Sequence, residues 1–346
     1  MPIDLGASGT SWRAEPGWLN TATYGLPPDS AWDELQQALE AWRGGRHSWE
    51  PWNASIDRSR QAFARLVGVD PGRVAAAGAV SELVGLVAAA LPPGSRVVVP
   101  DGDFTSILFP WLVQADRGVE VVSVPLPLLA ESVTPGTSVV AFSAVQSASG
   151  ELAAMDDVLA AAADVDALTV VDGTQAVGWL PVDAARVDAL ACAAYKWLMS
   201  PRGTAFMTVS DRLAERLRPH SAGWYAGPDV FATYYGTPLR LADDARRFDV
   251  SPAWFCWVGT APTLEALELL TVAAVHEHDV ALANRFRAGL GLPPGDSAIV
   301  SAAVAGAAER LERAGIRAAT RAGAVRASFH LYNTEADVDA ALDALS

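Results

Sequence analysis

Cysteine is nearly missing: Cys192 and Cys256 are the two in 346 residues. That excludes a disulfide framework and fits a reducing cytosol, so a cytoplasmic location is expected. Charge is scarce and one-sided, with 25 Lys and Arg against 40 Asp and Glu, a formal net charge of -15. A nucleic-acid partner needs a basic face to displace counterions, so none is expected. No apolar run reaches the ~18 residues of a membrane span. The opening MPIDLGASGTSW has no basic region followed by an apolar core, so neither a membrane nor a signal peptide is expected. His276 and His278 are two apart and point different ways on a helix, which does not suit a metal site. GLGLPPG at 289–295 has the wrong spacing for a dinucleotide fingerprint and follows a helix. What is present is apolar: half the residues, in a chain long enough to bury a large core as two domains or one long one.

The stretch 168–204 reads LTVVDGTQAVGWLPVDAARVDALACAAYKWLMSPRGT. One apolar run ends in Asp172, Gln175 follows a turn later, and a second apolar run ends in Tyr195-Lys196. An acid closing one strand and a lysine closing the next is the layout a pyridoxal phosphate (PLP) site needs. The lysine forms a Schiff base with the cofactor aldehyde. The carboxylate keeps the pyridine nitrogen protonated, so the ring can accept electrons. A lysine at the end of ALACAAYK differs from an exposed one, because burial favours its neutral, nucleophilic form. The plain alternative is a surface lysine with a snorkelling side chain.

This stretch resembles the aminotransferase class V family of fold-type I PLP enzymes, which includes cysteine desulfurases, kynureninases and isopenicillin N epimerases. The family's ordered pattern stands here as Asp172, Gln175, Gly178, Pro181, Asp183, Lys196, Pro201 and Gly203. Further landmarks carry the resemblance from about Trp18 to the C-terminus. It implies an α/β fold: a mainly parallel seven-stranded sheet with helices on both faces, plus a small α+β C-terminal domain. It also implies a segment 1–30 over the active site, a large PLP-binding domain at 31–255, and a linking helix and small domain at 256–346.

The resemblance supplies further site residues. The helix start after Gly78 aligns with the family's phosphate motif, so the Val80 and Ser81 amides and the Ser81 hydroxyl become phosphate donors. The plain reading of Ser81 is a helix N-cap. Phe104 matches the aromatic that lies on the pyridine ring. Gln146 sits where members place a polar group near the phenolic oxygen. Gln175 would donate to that same oxygen. Tyr195 would reach the phosphate, the more so because Ala193 replaces the Ser or Thr of cysteine desulfurases. Ser251 would serve the partner subunit's phosphate. Asn20 and Thr21 would contact substrate. Arg326, in VRASFHLYNT, would grip a substrate carboxylate with its planar fork. Trp224, Tyr225 and Tyr235 are pocket-lining candidates, with simple packing as good an account of each.

The expected function is a PLP enzyme that deprotonates an amino acid at Cα, a homodimer with shared active sites. Lys196 and Asp172 are the catalytic pair. An aminotransferase-like outcome leads. A β-eliminating carbon-sulfur lyase or an epimerase is the alternative, and a non-catalytic PLP-fold binding protein stays open. A persulfide-forming desulfurase is weakened, because residues 287–325 hold no cysteine.

Overall fold

The computed structural model describes residues 10–346, so the first nine residues of the expected N-terminal segment lie outside the described residues. Seven strands form the main sheet: β1 (Val74–Ala77), β2 (Arg96–Pro100), β3 (Glu120–Val124), β4 (Thr137–Ser143), β5 (Leu168–Asp172), β6 (Ala189–Ala193) and β7 (Ala205–Val209). Their spatial order is β1-β7-β6-β5-β4-β2-β3. The pairs from β3 to β6 are parallel, and β7 alone runs against its neighbours β6 and β1.

The reason is legible in the strands. LTVVD, ALACA and AFMTV are buried at every position, so both faces need a cover. Helices supply it. Phe63 and Phe206 stack at 4.3 Å within the core on one face, while Leu83, Val87 and Trp111 belong to the core on the other. Helix Val80–Ala90 follows β1 directly, and its apolar residues close over the sheet.

The second sheet is antiparallel: β8 (Ile299–Ala302), β10 (Ala324–Ser328) and the short β9 (Ala319–Arg321), in the order β8-β10-β9. Helix Glu335–Leu345 covers it and starts with a capping box between Thr334 and Asp337. Arg326 and Ser328 point away from the small core that Val325, Ala327 and Phe329 enter, as strand alternation requires.

One expectation is corrected. The linking segment 257–290 reads as a single long helix, yet two helices occupy it, Trp254–Leu270 and Val272–Gly289, bent by 85°. Thr271 takes a positive φ of 59°, and its hydroxyl caps the second helix at Ala274. The first helix packs on Asp29–Arg43 and Glu50–Val67; the second packs on β8 and the last helix. DRLAERLRP at 211–219 reads as a helix from its sequence, and the helix formed there is shorter, Asp211–Ala214. Among the described residues no single helix is long and apolar enough to cross a membrane.

Candidate active site

A parallel sheet leaves its functional loops at the carboxyl ends of its strands. Here five such ends meet at one cavity of about 210 Å³. Gly78 to Val80 come from β1, Phe104 to Ser106 from β2, and Ser143 and Ser147 from β4. Asp172, Thr174 and Gln175 come from β5, and Ala193, Tyr195 and Lys196 from β6. A larger cavity of about 680 Å³ lies between residues 13–32 and 315–317, but it offers no amine and none of the residues singled out above.

Lys196 is 5% exposed, in the turn after β6. Its Nζ stands 5.2 Å from the centroid of the Phe104 ring and 5.8 Å from that of Tyr195. Burial lowers its pKa to about 8; Asp172 opposes the fall and the Arg326 charge adds to it. An amine so placed is a nucleophile near neutral pH. Lys196 is also the only lysine in the sequence, a signal that would have singled it out without any motif.

Asp172 is 4% exposed, and burial raises its pKa against the opposing pull of Thr174 and Lys196. Its Oδ1 accepts the Thr174 N–H at 2.8 Å. Thr174 Oγ1 accepts the Ala193 N–H at 3.0 Å, so the acid-bearing turn is tied to the strand that carries the lysine.

Gln175 links several parts. Its Nε2 donates to the Ala22 carbonyl and to Ser147 Oγ, each at 3.0 Å, and its Oε1 accepts the Trp197 indole N–H at 2.8 Å. Both amide hydrogens are therefore engaged within the protein, where a donor to the cofactor's phenolic oxygen was expected.

Arg326 is buried, at 1% exposure. Its Nη1 donates to the Ser147 carbonyl and its Nη2 to Thr23 Oγ1 at 2.9 Å. Thr23 in turn donates to Asn20 Oδ1 at 2.6 Å, which joins Asn20 to the arginine one step removed. Among the described residues no carboxylate pairs with Arg326, and its Nε has no partner. Burial, then the charge of Arg321, lowers its pKa to about 10. A buried guanidinium without a counter-ion awaits an anion.

Helix Val80–Ala90 presents its first amides at the cavity. Ala79 is the N-cap and makes no side-chain cap, so Ser81 is not the cap its type suggests. Ser81 is exposed and does not line the cavity, whereas Val80 does.

Other expected residues stand apart. Gln146 turns to Asp103 Oδ2 at 3.3 Å and is absent from the lining. Ser251 lines a neighbouring cavity of about 140 Å³ with Tyr225, Glu82 and Gly78, the last shared with the lysine cavity. Asp249 forms a buried ion pair with Arg60 at 2.6 Å. Trp224 packs against Trp49, and Tyr235 is 89% exposed; neither reaches Lys196.

Sequence reading passed over four residues. Asp103 accepts the Ser143 N–H at 2.8 Å and the Phe104 N–H at 2.7 Å, which sets the aromatic ring. Ser147 receives both Gln175 and Arg326. Thr174 is described above. Arg202 lies 4.8 Å over the Tyr195 ring at the cavity wall; its signal was the flanking Pro201 and Gly203.

The residues fit PLP: a buried amine of lowered pKa, a buried acid, an aromatic face and free helix-start amides surround one space, and Arg326 lies behind Ser147 of its wall rather than in the lining. Comparison with known proteins agrees. The family model described as Aminotransferase class-V matches residues 36–304. The chain is 27% identical over 320 residues to the uncharacterized aminotransferase YcbU of Bacillus subtilis, covering 85% of each chain. It is 29% identical over 267 residues to isopenicillin N epimerase of Streptomyces clavuligerus, covering 70% of this chain and 66% of that one. Its fold is similar to that of the cystine C-S lyase C-DES, solved with its product cysteine persulfide, at TM-score 0.85 and 20% identity over 96% of this chain and 97% of that one. The cysteine desulfurase CsdA of Escherichia coli gives TM-score 0.81 at 22% identity, over 95% and 93%.

Proposed function

The chain belongs to the aminotransferase class V family of PLP-dependent enzymes, and on that premise we propose that Lys196 carries the cofactor and removes the Cα proton of an amino acid. The observation that carries this reading is the burial of the one lysine beside Asp172 and Phe104.

When bound, PLP supplies an aldehyde for amine condensation and a ring that draws electrons from the substrate Cα. Lys196 Nζ would hold it through that aldehyde carbon, and the same amine, when free, would serve as the base at Cα. Asp172 would hold the proton on the ring nitrogen. Phe104 offers a flat face to the ring. The Val80 and Ser81 amides, with the Tyr195 hydroxyl, receive the phosphate. Arg326, behind Ser147 of the cavity wall, would take the substrate carboxylate, and Asn20 orders it through Thr23.

The aminotransferase outcome leads, with β-elimination and epimerisation as the competing fates of the same deprotonated substrate. A homodimer is part of the reading. Ser251 would then serve the partner's phosphate. The division into 31–255 and 256–346 is part of the same reading; the bend at Thr271 lends it support as a break inside the linking segment, and the free cysteines support a cytoplasmic location.

The test is an absorbance scan with added PLP, then borohydride fixation and a screen of amino acids. Keto acid, sulfide, ammonia and Cα deuterium exchange are assayed separately. Wild type is expected to fix PLP on Lys196, and Lys196→Ala to fix none there. A protein that stays colourless with PLP would sink the reading.

A further inference from the structure

Lys196 lies three residues past the end of β6, where no sheet hydrogen bond holds it. A buried amine of lowered pKa gains by swinging into water, and its turn is held on the near side by the Met199 N–H to Lys196 carbonyl and Gly25 N–H to Tyr195 carbonyl bonds. Directly behind the next residue, Trp197, is a sealed polar pair that the reading above leaves unused. Asp279 and His330 are both 0% exposed, with Oδ2 and Nδ1 2.7 Å apart. His330 Nε2 is 3.0 Å from the Trp197 carbonyl oxygen.

The proton count follows from donor chemistry. A carbonyl only accepts, so Nε2 carries a hydrogen. The contact between Asp279 and Nδ1 then holds one proton, on either atom. In both cases the pair is neutral as a whole and the Nε2 donor persists. Burial pushes the Asp279 carboxyl up, while His330, then His278 and His276, oppose the rise. The imidazole also stands edge-on to the Trp197 indole, at 5.2 Å and 79°. Trp197 is therefore gripped twice, at its carbonyl by His330 and at its indole N–H by Gln175.

We propose that Asp279 and His330 are a positioning pair for Lys196: Asp279 fixes the imidazole tautomer, and His330 holds the Trp197 carbonyl so that the amine stays turned into the cavity. This rests on the reading of Lys196 as the cofactor-carrying amine. The charges that otherwise set that amine's titration are Asp172, Arg326 and Arg321, with the Cys192 thiol, and none belongs to the pair.

A single lysine makes the test clean. The cofactor-free chain is treated with acetic anhydride across a pH series, and acetylation of Lys196 is read by peptide mass spectrometry. Capture of PLP at pH ~7.5, fixed with borohydride, gives a second readout, and thermal melting a third. His330→Leu is expected to move the acetylation midpoint up by about one pH unit or more and to slow capture about tenfold. His330→Gln keeps a donor and is expected to titrate like wild type. Asp279→Asn can donate to Nδ1 and preserve the Nε2 hydrogen, so it too should match wild type, while Asp279→Leu should shift upward.

A folded His330→Leu with unchanged midpoint and capture overturns the proposal, even if its melting temperature falls. A His330→Gln that behaves like His330→Leu overturns it as well, since packing would then be the cause. If His330→Leu does not fold, the two Asp279 variants decide: equal titration in Asn and Leu rejects the tautomer role. Wild type that fixes no PLP on Lys196 instead rejects the underlying reading, whatever the variants do.

Discussion

Replacing Lys196 with methionine is expected to stabilise the cofactor-free protein most strongly below pH 8 and progressively less above it. The buried amine has a folded pKa of about 8 against an ordinary 10.5. A lysine whose folded pKa is lowered sheds its proton more readily when folded. The unfolded chain thus binds more protons between those two values, and wild-type stability rises with pH across that window. The fall from 10.5 to about 8 corresponds to about 3 kcal/mol of opposition to folding, fully felt below pH 8 and gone above 10.5. Methionine fills similar space without a charge. The stability difference between the variant and wild type should therefore shrink by about 3 kcal/mol between pH 7 and pH 10.5. Groups that titrate alike in both proteins cancel in that difference. Urea denaturation of both cofactor-free proteins at each pH measures it. A difference that stays flat to within about 1 kcal/mol would show that the amine is well solvated, and would remove the ground for calling it a buried nucleophile.

Arg326→Leu is expected to weaken binding of amino-acid substrates by ~2–5 kcal/mol, read as a raised KM, with PLP capture little changed. An unchanged KM would reject its carboxylate role. Asp249→Ala leaves Arg60 buried and unpaired beneath β1 and is expected to cost ~3–5 kcal/mol in chemical denaturation. A loss under about 1 kcal/mol would mean that water reaches the guanidinium in the variant.

Much of the fold was legible because its signals are local. Strands such as RVVVP and LTVVD are short, β-branched and bounded by turn residues, and each forms where its pattern puts it. The single helix read over 257–290 misled for the same reason. Its apolar positions continue through the bend, and Thr271 is not a residue type that announces a break. Only packing on two different partners separates the halves. β9 escaped because three residues, two of them exposed, carry no period to detect.

The candidate site divides along similar lines. Lys196, Asp172, Phe104 and Val80 each follow a strand and fall at the carboxyl edge of one sheet, so strand order alone converges them. Gln146 misled because its strand is right but its amide is claimed by Asp103, forty-three positions back in the chain. Gln175 was picked as a donor to the cofactor, yet Ala22 and Ser147 engage both its hydrogens.

The sequence by itself determined the sheet, the order of its loops, and which amine and acid face each other, since these depend on apolar period and on residues near strand ends. Tertiary structure alone decided which polar groups are left unpaired and which are tied down. Arg326 meets Thr23 across 303 positions, and His330 meets Asp279 across 51. A hydrogen bond needs two partners at about 3 Å, and no periodicity along a chain encodes a distance between segments so far apart.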